Sequence, residues 1–274
     1  MGTSGPSSGP NSNSVLVPTW VDEPGATEDQ SSQDNRSSRP AIEPAPLPAR
    51  FRGARRNFSA FAKSGGNNQG ALRRAVRDYV RSGTGGSGGA TRRMGSSRAT
   101  ARGMLGVFQG FQRDGIDATL QRHNLENLAG RPAGDIFIGL TDVICLDGGS
   151  IDEGIARDAW LETIVDIDQL GIENLDDLST EQIEEVFLTF VTHAIETRLF
   201  QDIGLNGFRT AEDPSAIEAF EAQFHDYIRR AVRDAFSSDL INLSNLSDPD
   251  ISNIVDETYR NAWDLLEAWG DINE

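Results

Sequence analysis

The sequence predicts an all-α protein: a disordered N-terminal tail, a basic Gly/Arg-rich segment, and then a bundle of five or more helices. Three observations carry this reading. From about Thr100 onward, apolar residues recur three and four positions apart behind recognisable caps, and no run alternates as a strand would. The first fifty residues are rich in Pro, Ser, Gly and Asn and contain too few large apolar side chains to offset the entropy of ordering. Charge is also split along the chain. Residues 51–102 carry twelve basic residues against Asp78 alone, whereas residues 103–274 carry ten Arg against thirty-five acids, within a net charge of −17. These shifts divide the chain into 1–50, 51–102 and 103–274.

The tail opens with MGTSGPSSGPNSNS. A small second residue allows the initiator Met to be removed, which leaves Gly2 with a free α-amine and no side chain in the way. The myristoylation pattern fails, because Pro6 stands where Ser or Thr is required. VLVPTWVDEP follows, an apolar patch inside polar surroundings. Pro18 and Pro24 bias it towards extended structure. Val15, Leu16, Val17, Trp20 and Val21 therefore read either as a docking motif for a partner or as a segment that folds back on its own domain. The stretch PAIEPAPLP, residues 40–48, predicts a semi-rigid polyproline II spacer.

In the basic segment, residues 57–63 predict one or two helical turns with Asn57 as cap. Gln69–Arg81 predicts a helix with Leu72, Val76, Tyr79 and Val80 on one stripe. The glycines from Gly83 to Gly89 match a dinucleotide fingerprint by letter, but a helix precedes them where a strand is needed, so a flexible loop is expected. Arg52, Arg55, Arg56, Arg73, Arg74, Arg77, Arg92 and Arg93 admit two readings. They either lie against the acidic body of this or a neighbouring chain, or bind phosphates of a nucleic acid or another anion. The strongly acidic body repels polyanions at long range, which favours the first.

Ser96 is expected to cap a helix to about Arg113 with Leu105, Phe108 and Phe111 inside, and Ile116 to Asn124 forms a short one. Asp135–Leu146 reads as a single buried helix. Ser150 and Glu153 make a capping box for a helix to Ile167 whose inner side is Ile151, Ile155, Ala159, Ile164 and Ile167. Ser179 with Gln182 opens a helix to about Ile203 that buries Ile183, Phe187, Phe190, Ala194, Ile195 and Leu199. Asp213-Pro214 and Asp248-Pro249 start the last two.

The sequence shows no catalytic constellation, and neither a cofactor nor a metal is expected. Cys145 is the one cysteine and lies in an apolar run, which suits a buried free thiol. His123, His193 and His225 fall on separate helices. His193 in THAIETR loosely resembles a phospho-accepting histidine but lacks the acid directly after it, so a satisfied or surface histidine is expected. Asp166, Asp168 and Gly171 start like a calcium loop, but Leu170 and Asp177 occupy ligand positions wrongly. No apolar run reaches a membrane span, and no signal core is present, so the chain is expected to be soluble and cytoplasmic.

Taken in order, the Met1-Gly-Thr-Ser start, VLVPTWVDEP, the Pro/Ala spacer, RFRGARRNFSAFAKSG and YVRSGTGGSGGATRRMG resemble the QatB family, accessory proteins of the Qat anti-phage defence system. The resemblance implies three partners: an ATPase, a QueC-like enzyme and a TatD-like nuclease. It also implies a non-enzymatic adaptor. QueC enzymes activate a 7-deazaguanine carboxylate with ATP and pass the acyl group to an amine, so the resemblance makes Gly2 the acceptor. The alternatives kept beside it are a nucleic-acid-binding module built on the eight arginines and a helical phosphotransfer or hydrolase domain.

Overall fold

The first described helix, α1 (Arg52–Lys63), starts five residues earlier than the sequence predicts, because Phe51, Ala54, Phe58, Phe61 and Ala62 already form a buried stripe. Asn57 is no cap; its Nδ2 donates to Asp78 Oδ2 at 2.9 Å. The computed structural model describes residues 49–145, 149–167, 170–172, 174–175, 178–204, 214–237, 240 and 242–271. The expectations for the tail, Gly2 and Val15–Val21 included, lie outside them, as does Asp213. Among the described residues there are eleven α-helices and no strand.

Asn68 caps α2 (Gln69–Asp78), its side chain accepting from the Ala71 amide. The helix then widens into a π turn over Tyr79–Thr84. The glycine run is not the expected flexible loop. Gly85 and Gly86 take positive φ (79° and 95°) to end the π turn, and α3 (Ser87–Arg92) begins at once. A side chain on Gly83 would meet the Phe51 ring, and one on Gly89 would meet the Thr84 carbonyl. These glycines are there for close approach.

The centre is formed by α4 (Gly95–Asp114), which starts one residue before Ser96 and buries Leu105, Phe108 and Phe111 as predicted. After α5 (Ile116–Arg122), the apolar run that predicted one buried helix is two: α6 (Ala133–Gly139) and α7 (Thr141–Ile144), with Ile138 58% exposed. Gly139 sits against Leu128, and the chain turns at Leu140. In α8 (Ile151–Ile167) the capping box is present, Ser150 and Glu153 exchanging bonds of 2.9 and 3.2 Å. The buried face is Ile155, Ala156, Ala159, Trp160, Thr163 and Ile167, while Ile151 is 67% exposed. All six positions predicted inside α9 (Thr180–Leu199) are buried, and Ser179 and Gln182 cap it reciprocally. A second π turn, Phe200–Gly204, follows. The last pair is α10 (Pro214–Ala235) and α11 (Asp248–Trp269), the latter capped by Ser247 with Asp250.

The basic segment is not a separate layer. Phe51, Phe58, Phe61, Leu72, Tyr79 and Met94 share one hydrophobic core with Phe108, Trp160, Phe187, Phe224 and Trp263. The α1–α2 hairpin packs on α10 and α11, and α4 lies against α8, α9 and α11. No helix among the described residues is long and apolar enough to cross a membrane.

Cys145 is buried, as its apolar neighbours predict. Burial pushes its thiol up to about 11, although Arg157 pulls the other way. At pH 8 the folded chain is therefore expected to react with a thiol reagent on the order of a hundredfold more slowly than the urea-unfolded chain, where the thiol returns to its usual range. Being the one thiol of the chain, it makes the colour change unambiguous.

Candidate functional site

The eight arginines do not converge. Arg52 and Arg56 on α1, Arg74 on α2 and Arg92 on α3 are exposed, and Arg73 is half-buried on α2. Arg55 donates from Nε and Nη2 to the Asp202 carbonyl at 3.1 and 3.0 Å. Arg77 pairs with Asp78 and Asp271, at 3.3 and 3.6 Å. Arg93 reaches both carboxylate oxygens of Asp202, at 3.0 and 2.9 Å, and lies 5.7 Å over the Phe51 ring. Other basic residues of the segment do the same: Arg81 meets Glu267 and Asp271, while Arg98 and Arg102 share Asp256. Five of the segment's twelve basic residues, Arg77, Arg81, Arg93, Arg98 and Arg102, thus pair with carboxylates of their own domain among the described residues, while Arg52, Arg56, Arg74 and Arg92 stay exposed.

Asp202, in the π turn after α9, is the hub of this pairing. Its carboxylate also accepts from the Tyr79 hydroxyl at 2.8 Å. Burial first, and the Asp202 charge second, raise the Tyr79 phenol beyond its ordinary range, so it stays a neutral donor.

A second constellation joins residues that the sequence holds apart. His193 and Glu196 are three positions apart on α9 and so share a face. His225 reaches the same spot from α10, and Asp166 from α8. His193 Nε2 is 2.8 Å from Asp166 Oδ2, and its Nδ1 is 3.4 Å from Glu196 Oε2. His225 Nδ1 lies 3.0 Å from Glu196 Oε1 but outside hydrogen-bond alignment, so that oxygen, though buried, has no hydrogen-bond partner. Burial opposes the charged form of His193, yet the Glu196 and Asp166 carboxylates outweigh it and hold its pKa above the usual value. The Glu196 carboxylate raises His225 likewise, and the two rings keep Glu196 below the usual range against the effect of its burial. His193, Glu196 and His225 border a cavity of about 570 Å³ between α8, α9 and α10.

Sequence reasoning took His193 as a satisfied or surface histidine. Half of the signal was present, since His193 and Glu196 have the spacing of one helix face. The other half, His225, depends on the register of α10 against α9, which no local pattern encodes.

A family model described as Qat anti-phage system associated protein QatB matches residues 85–266. No curated protein and no solved structure matches the chain. The matched span runs from the glycine-rich end of the first π turn to the last turns of α11, well over half of the chain, and the chain belongs to the QatB family of the Qat anti-phage system.

Proposed function

We propose that this chain is a non-catalytic adaptor in Qat defence. Its N-terminal tail is the acceptor for a QueC-like enzyme, and its helical body binds partner subunits, the ATPase and the TatD-like nuclease among them. Membership of the QatB family is the observation that carries the reading. The chemistry fits the tail: with Met1 removed, Gly2 presents an α-amine whose pKa is near 8, so part of it is neutral and nucleophilic at pH 7. That amine attacks the carbonyl carbon of an adenylated carboxylate, a new amide bond forms, AMP leaves with the bonding pair, and the amine loses a proton. Gly5, Pro6 and Gly9 keep the tip slim enough to enter an active-site tunnel, and Val15–Val21 dock outside it. Exposed Leu161 and Val165, one turn apart on α8, support a partner-binding role for the body.

The test is intact-mass and N-terminal peptide mass spectrometry on the chain co-expressed with its Qat partners. A mass added to the peptide beginning at Gly2, absent without the QueC-like partner, is expected. Deletion of residues 2–14 is expected to abolish phage protection with the helical circular dichroism unchanged. An unmodified N-terminus in a protective complex would refute the acceptor role. The nucleic-acid reading is disfavoured by the internal pairing of Arg55, Arg77 and Arg93. Salt-sensitive binding of DNA or RNA by the isolated chain would revive it.

A further inference from the structure

The His193, Glu196 and His225 group has the makings of a metal centre. Its three ligand atoms lie within 4.8 Å of one another. In a tetrahedral Zn²⁺ site with bonds of about 2.0–2.1 Å, neighbouring ligand atoms stand about 3.3 Å apart. His193 Nδ1 stands 3.4 Å from Glu196 Oε2 and His225 Nδ1 stands 3.0 Å from Glu196 Oε1, so the two rings face different oxygens of one carboxylate, each close to that separation. The far nitrogen of His193 faces Asp166 at 2.8 Å. A carboxylate behind a histidine is the arrangement that fixes a ligating ring and strengthens it as a donor.

The independent sign is Glu196 itself. It is 9% exposed, and Oε1 has no hydrogen-bond partner although a ring nitrogen is 3.0 Å away. A buried carboxylate set between two imidazole nitrogens needs positive charge there, and a cation bridging it to both rings supplies that charge. Two imidazoles among three ligands favour Zn²⁺ over Mg²⁺ or Ca²⁺, which take oxygen.

We propose that His193 Nδ1, Glu196 and His225 Nδ1 bind one Zn²⁺ that ties α9 to α10, with Asp166 as a positioning residue for His193. Three protein ligands leave a fourth position, and the bordering cavity, lined also by Glu162 and Phe224, gives a water or a partner's oxygen access to it. The proposal is independent of the role assigned to the tail.

The test uses the full-length chain, stripped with a chelator and titrated with Co²⁺, then with Zn²⁺. One equivalent of Co²⁺ is expected to give the visible bands of a tetrahedral centre, Zn²⁺ to bleach them, and elemental analysis to find one zinc per chain. His225→Gln and Glu196→Gln are expected to abolish the bands, and Asp166→Asn to weaken binding about 10- to 100-fold. Each variant's metal-free helical content and urea midpoint are measured alongside. His225 is half-buried at the cavity rim, so His225→Gln carries the test should Glu196→Gln unfold. Either of two results would overturn the site: no Co²⁺ spectrum in the folded parent chain, or weak binding that His225→Gln leaves unchanged. The first would leave a His–Glu–His network joined by protons alone, the second a diffuse attraction of cations to the acidic surface.

Discussion

Replacing Phe58 by alanine is expected to lower the unfolding free energy by about 4 kcal/mol. Phe58 is fully buried, and its ring lies 6.3, 5.7, 5.5 and 5.4 Å from those of Phe61, Phe200, Phe220 and Phe224. Three of those four contacts are near-perpendicular, the orientation in which an aromatic edge meets a face. Truncation removes the transfer free energy of the ring and leaves a hole that four rigid neighbours cannot collapse into. Urea unfolding followed by circular dichroism should show a lower midpoint at unchanged slope. Phe58→Leu, which refills most of the volume, should recover more than half of the loss. If alanine there costs less than about 1 kcal/mol, α1 is not part of the core.

Asp202→Ala is the second large effect, at about 3 kcal/mol. The substitution leaves the main-chain carbonyl that holds Arg55 but removes the carboxylate shared by Arg93 and Tyr79. Tyr79 is fully buried, so its hydroxyl loses its acceptor where water cannot substitute. Arg93 is better placed, since its side chain is 28% exposed and stacked over Phe51. The expected loss is therefore smaller than for a fully buried pair. A double-mutant cycle with Tyr79→Phe apportions it. Tyr79→Phe alone should cost about 1 kcal/mol, and much less when Asp202 is already alanine.

The sequence spoke most clearly where a cap and a single apolar face coincide. In α9 the Ser179–Gln182 box and six apolar positions define both the start and the buried side. In α8 the cap was equally legible but the face was not, because Ile151, Leu161 and Val165 sit outside while Ile155, Trp160 and Ile167 sit inside. A helix apolar on most of its circumference gives periodicity nothing to choose between. The glycine run misled for a different reason: glycine marks either freedom or close approach, and only the presence of Phe51 and Thr84 at Gly83 and Gly89 decides. Asp202 was invisible, one acid among forty-two, since its role depends on partners 109 and 147 positions away. The pairing of His193 with His225 failed to show for the same kind of reason.

The docking of α1 and α2 on α10 and α11 has a kinetic meaning. Hydrogen bonds spanning 147 positions, from Arg55 to Asp202, and 186, from Arg81 to Glu267, make this a topology of distant contacts. Such topologies fold slowly. At roughly 5–20 residues per second, a ribosome needs on the order of ten to thirty seconds between making Phe58 and making the helices that cover it. Throughout that interval the nascent chain displays Phe51, Phe58 and Phe61 to solvent, a target for holdase chaperones. The finished domain closes only when its last long helix has emerged.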